Sequence, residues 1–253
     1  MKNIFYKDKL KVKIFETRSQ MGEDAAKDIA AAIHQLLEEK ENVNIMFAAA
    51  PSQNDVHKAL REDSSIAWNR IRGFHMDEYV GLAADHPAGF ANFLMRNVFG
   101  SLPFASVNLI DGNAASAEAE AARYTRILKE NPIDICVMGV GENGHVAFND
   151  PGEADFRDPQ TVKVVNLDDV CRQQQVNDGC FETFDEVPKQ ALSVTVPGLM
   201  AAPVIFCIVP APTKAKAIKR MLEGEIDEMC PATILRIQEN ATLYLDADSA
   251  SLL

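Results

Sequence analysis

The stretch from Gly139 to Gly152 sets glycines at 139, 141 and 144 ahead of a histidine, His145, with an acid, Asp150, a few residues on. A glycine-rich turn that presents an imidazole is an acid/base device, because histidine's ordinary pKa, about 6.5, lies nearest neutrality. The same glycines would also serve simply to turn the chain, with His145 resting on a loop carbonyl. A second segment, Phe74-His75-Met76-Asp77-Glu78-Tyr79, places adjacent carboxylates where an apolar run ends. Successive side chains of an extended strand face opposite ways, so at most one of Asp77 and Glu78 can point at a common ligand. The other role for such an acid is a helix cap or an ion pair. Lys214 follows the apolar run VIFCIVP and the turn Pro210-Ala211-Pro212-Thr213. A lysine at a strand-to-helix turn suits an anionic group, since the helix start adds backbone donors and a favourable dipole. Lys216, Lys219 and Arg220 read as a solvated face.

Strands and helices alternate around these segments. Thr17-x-x-Gln20 can open a capping box for an amphipathic helix over about 20–40, with Met21, Ala25, Ile29, Ile33 and Leu36 on one face. Apolar runs predict strands at 11–16, 44–50, 71–79, 107–110, 133–140, 162–167, 192–196, 204–209 and 241–245. Helices are expected at 53–61, 87–99, 114–129, 213–223 and 232–238. The run IDICVMGV is almost continuously apolar, the mark of a strand covered on both faces. Without a Gly-, Ser- or Pro-rich linker, this alternation predicts one doubly wound α/β sheet and a single domain over 1–253. Ligands of such sheets sit at the carboxyl ends of strands, where neighbouring connections diverge. The ends that carry chemistry are AAAPSQ, HMDEY and GVGENGHVAFNDPG, and together they define the candidate site.

Composition excludes several classes. With 253 residues, 47% hydrophobic and 25% charged, the chain is long enough to bury a large core. No apolar run approaches the roughly 18–20 residues of a membrane span. The formal charge of −12 repels a nucleic-acid backbone, and no basic patch offsets it. The segment MKNIFYKDKLKVKIF lacks the zones of a secretory signal, and the 5 cysteines follow no metal spacing. Reduced thiols in a cytoplasmic protein are the expectation. A homo-oligomer is left open, as no heptad seam or long apolar stripe appears.

HMDEYVGL with DHPAGFANF, then GVGENGHVAFNDPG, then VPKQALSVTV and the lysine after the next strand resemble the glucosamine-6-phosphate deaminase/isomerase family. That family stands within a broader group that also holds 6-phosphogluconolactonases, and the resemblance runs from about residue 40 to the end. It implies a Rossmann-like three-layer α/β/α fold, a sugar-phosphate substrate, and no cofactor or metal. It implies further that Asp77 moves a proton between C2 and C1 of an amino sugar and that His145 opens the ring, flanked by Asn143 and Asp150. Ala50, Ser52, Gly144, Arg172 and Lys214 fall at positions that hold substrate or phosphate. Departures accompany the likeness. The family's usual Asp before Gly-His is Asn143, its usual Glu is the shorter Asp150, and its Thr-Gly-x-Thr-Pro type phosphate loop is Ala48-Ala49-Ala50-Pro51-Ser52-Gln53. Pro51 has no N–H and alanine turns less freely than glycine, so fewer amides converge on an anion. Arg172 is the nearest match for a phosphate-binding arginine. Alternatives that keep the scaffold are galactosamine 6-phosphate as substrate, lactone hydrolysis, and a non-catalytic sugar-phosphate-binding regulator.

Overall fold

A computed structural model describes residues 3–253. It begins with strands β1 (Asn3–Lys7) and β2 (Leu10–Ile14), helix α1 (Arg18–Glu39), β3 (Val43–Phe47) and α2 (Asn54–Glu62). Next come β4 (Ile71–His75), β5 (Asp77–Tyr79), α3 (Phe90–Asn97), β6 (Ser106–Asn108), α4 (Ala117–Glu130) and β7 (Ile135–Met138). The rest is β8 (Val162–Asn166), α5 (Asp169–Asn177), β9 (Gln190–Val194), α6 (Val196–Met200), β10 (Val204–Val209), α7 (Ala215–Glu223) and β11 (Ala241–Leu245). A 3-10 segment, Pro231–Ile237, stands where a helix over 232–238 is expected.

An eight-stranded sheet has the order β1-β2-β11-β10-β7-β3-β4-β6. All its pairs are parallel except β1 with β2, an edge hairpin whose first strand carries no sequence signal of its own. Alternate side chains leave the sheet on opposite faces, as the strand's period of two requires. Ile45, Phe47, Ile135 and Val137 pack into one core with α1, α2 and α3. Met46, Cys136 and Met138 enter the other, with α4, α6 and α7. The result is the expected three-layer α/β/α arrangement. Thr17 caps α1 by accepting from Gln20 N, and Met21, Ala25, Ile29 and Ile33 are its buried stripe.

The expectation of one sheet needs correction at 71–79, 162–167 and 192–196. The first segment breaks at Met76. Its second half, β5, leaves the main sheet and pairs antiparallel with β9, which pairs antiparallel with β8 in a separate three-stranded sheet. Period-two alternation signals a strand without naming its partners, so sequence pattern does not separate the sheets.

From β7 outward the order runs through β10 and β11 on one side and through β3, β4 and β6 on the other. Connections therefore diverge between β3 and β7. The carboxyl ends of these strands flank the crevice in which doubly wound sheets bind ligands.

Candidate active site

A cleft of about 560 Å³, its open mouth included, lies over that crevice. Ala48–Ala50 and Ser52 line it from the end of β3, Asp77 from β5, and Gly139, Gly141 and His145 from the loop after β7. Gln174, Gln175 and Asp178 enter from α5 and its end, and Lys214 from the turn before α7. Asp77 and His145, 68 positions apart along the chain, thus face a shared cavity.

The loop after β7 is shaped to hold the imidazole. A Cβ on Gly141 would lie 2.2 Å from the His145 ring, so only glycine allows the ring to fold over the turn. His145 Nδ1 is 2.8 Å from Asp150 Oδ1, leaving the other ring edge for the cleft. Asn143 Oδ1 accepts the His145 N–H at 3.0 Å, while Asn143 Nδ2 donates to Asp150 Oδ1 at 3.0 Å and to Asp168 Oδ2 at 3.0 Å. The amide at 143 therefore orients the histidine's support from behind, outside the cleft lining. Burial pushes the Asp150 carboxyl up. The His145 charge outweighs this, helped by hydrogen bonds from His145, Asn143 and the Asp168 N–H, and holds it below its ordinary value. Asp150 stays ionised beside the imidazole.

Cys171 completes a group in which His145, Asp150 and the thiol each place one atom within 4.8 Å of the others. The 2.8 Å spacing of Nδ1 and Oδ1 is shorter than the roughly 3 Å or more needed by two ligands each about 2 Å from one ion.

The break at Met76 resolves the paired acids. Asp77 turns into the cleft, and no group among the described residues hydrogen-bonds its carboxylate. Burial pushes its pKa well above the usual carboxylate range, and the Glu78 charge adds to the effect. Glu78 points the other way and accepts from the backbone N–H groups of Tyr79 at 2.9 Å, Phe90 at 3.0 Å and Ala91 at 2.8 Å. It satisfies the free donors that open α3, the cap expected of one of the two.

At the other end of the cleft Lys214 is 5% exposed, and its Nζ has no partner among the described residues. Burial lowers its pKa while Asp178 and Glu142 pull it back up. A buried ammonium without a bond awaits an acceptor. The turn that delivers it puts Ala211 at φ 86 and ψ 149, a region that favours glycine.

Four expected site residues lie outside the cleft lining: Asn143 and Asp150 stand behind His145, and Arg172 and Gly144 serve the scaffold. Arg172 spends its guanidinium inside α5's own neighbourhood, donating from Nη2 to Phe184 O at 2.9 Å and Val187 O at 3.0 Å, with its Cζ 3.9 Å above the Phe184 ring. It braces the turn before β9, with Nη1 3.8 Å from Asp169 Oδ1. Gly144, at φ 92, turns its Cα toward Cys230 Sγ, and its N–H and carbonyl are taken by Gly141 O and Ala232 N. It shapes the loop. The cleft instead receives Gln174, Gln175 and Asp178, and the support behind His145 includes Asp168, none of which the motifs point to. Asp168 opening a helix is their one sequence signal.

Residues 16–244 match the family described as Glucosamine-6-phosphate isomerases/6-phosphogluconolactonase. The chain belongs to this family. Among its curated members, the glucosamine-6-phosphate deaminase of Lactobacillus delbrueckii subsp. bulgaricus is 32% identical over 244 residues, 96% of this chain and 100% of that one. The glucosamine-6-phosphate deaminase of Listeria innocua serovar 6a is 37% identical over 211 residues, 83% of this chain and 88% of its own length. A solved monomeric glucosamine-6-phosphate deaminase superposes with a TM-score of 0.88 at 27% identity, covering 96% of this chain and 99% of that one. The 6-phosphogluconolactonase of Trypanosoma brucei, with a TM-score of 0.81 and 16% identity over 99% of this chain and 100% of that one, shares the fold.

Proposed function

We propose that this member of the family is an enzyme that deaminates and isomerises an amino-sugar phosphate, converting glucosamine 6-phosphate and water to fructose 6-phosphate and ammonia. One observation carries the reading: a carboxylate and an ammonium that have no hydrogen-bond partner among the described residues, and an imidazole backed by a carboxylate, line the same cleft. His145 moves the proton that opens the sugar ring and frees C1 as an aldehyde. Asp77 then removes the C2 proton, acidified by that carbonyl, and returns it to C1. The C2 imine that results adds water and expels ammonia, so the nitrogen leaves from C2 as the ketose forms. The substrate's carbonyl is the electron sink and each step is a positioned proton transfer, which the protein's own groups supply. The raised pKa of Asp77 suits a base, since a stronger base takes a carbon-bound proton more readily once ionised. Lys214 and Ser52 hold the phosphate. Five free thiols fit a cytoplasmic setting.

Glucosamine 6-phosphate, galactosamine 6-phosphate, free glucosamine and 6-phosphogluconolactone, assayed side by side for ammonia, ketose and acid release, test the reading. Stoichiometric ammonia and ketose from a phosphorylated amino sugar are expected. Lactone hydrolysis without ammonia from any amino sugar overturns it.

A further inference from the structure

Asp168 serves two elements at once. Its Oδ1 accepts the Cys171 N–H and caps α5, and its Oδ2 accepts from Asn143 Nδ2 at 3.0 Å. The second contact does nothing for the helix. Asn143 Nδ2 carries two hydrogens and spends them on two carboxylates, Asp150 and Asp168, while its Oδ1 receives the His145 N–H. Turning the amide over would set its oxygen against both acids and its NH2 against an N–H. A neutral side chain is thereby locked in one orientation by a charge on another element. The Asp168 N–H also reaches Asp150 Oδ2 at 3.3 Å, so the backbone of this residue holds directly the carboxylate that its side chain holds through Asn143.

We infer that Asp168 is a positioning residue for the His145–Asp150 pair, acting through the Asn143 amide and adding a second negative charge behind the imidazole. Its kinetic consequence rests on the deaminase reading; its action on His145 does not. The other titratable groups around the imidazole are Glu142 on its own loop, Cys171 and Asp178 from α5 and its end, Asp77 across the cleft, and Lys214. All are unchanged by substitution at 168, so a shift that follows from it reads Asp168 itself.

Asn caps helices about as well as Asp, so Asp168→Asn keeps the cap and removes the charge. A residue that mattered only as a cap would leave this variant with wild-type kinetics. The expectation is a fall in kcat of at least about tenfold, the size of one lost charged hydrogen bond, with KM within about threefold. The acidic limb of kcat/KM should move to lower pH by roughly 0.5–1 unit, because one carboxylate no longer favours the charged imidazole. Asn143→Asp puts a carboxylate against both Asp150 and Asp168 and is expected to be more damaging. N143D/D168N removes one of these two clashes and should recover about tenfold over N143D. The His145 imidazole 15N titration, followed by NMR in wild type and D168N without substrate, reads the same charge independently of turnover. Unchanged kinetics, pH limb and NMR titration in D168N, with N143D/D168N no better than N143D, would overturn the inference. If wild type releases no ammonia, the deaminase reading falls and the NMR titration alone decides the role of Asp168.

Discussion

Asp77 is the residue at which function and stability conflict most openly. Its carboxylate is buried beside Glu78 without a hydrogen bond among the described residues, and burial first, then the Glu78 charge, put its pKa well above the usual range. The folded-state value is thus raised above the unfolded one, so the group costs no stability at low pH and an increasing amount as pH rises and charge is forced into the cleft. Asp77→Asn should therefore do two things. Turnover of the amino-sugar phosphate should fall by about a thousandfold or more, the scale of losing a general base and its positioning. Thermal stability at pH 7 should rise by on the order of 1 kcal/mol, or about 2–4 °C in Tm. The Tm gain should shrink as pH falls toward the unfolded carboxyl's ordinary pKa of about 3.9 and vanish below it, where the wild-type carboxyl is neutral in both states. An inactive variant that is less stable at pH 7 would show that the acid is paired in the folded state. Lys214 yields the complementary case. Lys214→Met keeps the stem and deletes the free ammonium, so KM for the phosphorylated substrate should rise about a hundredfold with a smaller change in kcat. Equal KM values for phosphorylated and unphosphorylated sugar in wild type would remove Lys214 from phosphate binding.

At the scale of the element, the turn from β10 to α7 carries a cost that a single substitution tests. Ala211 sits at φ 86 and ψ 149, where an L side chain crowds its own backbone and glycine does not. Its N–H lies 3.2 Å from both Asp246 oxygens, so the strand end is held while the chain turns to deliver Lys214. Ala211→Gly should stabilise the protein by about 1 kcal/mol, the relief of strain less the entropy glycine adds to the unfolded chain. Chemical denaturation measures it, and an unchanged or lowered midpoint would mean the turn is unstrained. The same scale explains what was legible beforehand. Buried runs such as IDICVMGV announce doubly covered strands, and β7 is fully buried between β10 and β3. The glycines and His145 were legible because 139, 141 and 144 bend the chain where the run stops. The departure of β5 was not, because a three-residue strand paired to β9 differs from a continuation of β4 only in its partners. Helix α5 escaped for a different reason. CRQQQVN has no apolar stripe, because its inward face is Gln174, Gln175 and Arg172, buried for polar work. With the helix went Asp168 and Asp178, whose roles depend on where it docks.

Over the whole molecule, the formal charge of −12 is spread outside while two histidines are sealed inside, and that contrast governs behaviour in acid. His57 lies among Phe47 and Phe93 with neither ring nitrogen hydrogen-bonded among the described residues. Burial, and then the Arg61 charge, lower its pKa to about 3. His75 is lowered to about 4 by burial, against the pull of the Asp77 backbone and Glu120, and it accepts the Ile110 N–H. Both folded values are depressed below the ordinary 6.5, so both residues are neutral in either state above pH 6.5 and their neutrality costs nothing there. As pH falls below 6.5 the unfolded chain takes up two protons that the folded chain refuses, and stability drops with it. Between about pH 6 and 5 the two histidines should together contribute up to about 2.7 kcal/mol per pH unit, about 1.4 for each proton. Ordinary carboxylates titrate lower, whereas Asp77 and Glu78, whose folded values are raised, gain stability as pH falls and offset part of the histidine slope in that window. Urea unfolding at pH 7, 6 and 5 measures the slope, and His57→Phe, which suits an aromatic pocket, should lower it by about 1.4 kcal/mol per pH unit while leaving pH 7 stability within about 1 kcal/mol. A slope that His57→Phe leaves intact would mean that the imidazole at 57 is charged, or reaches water, in the native state.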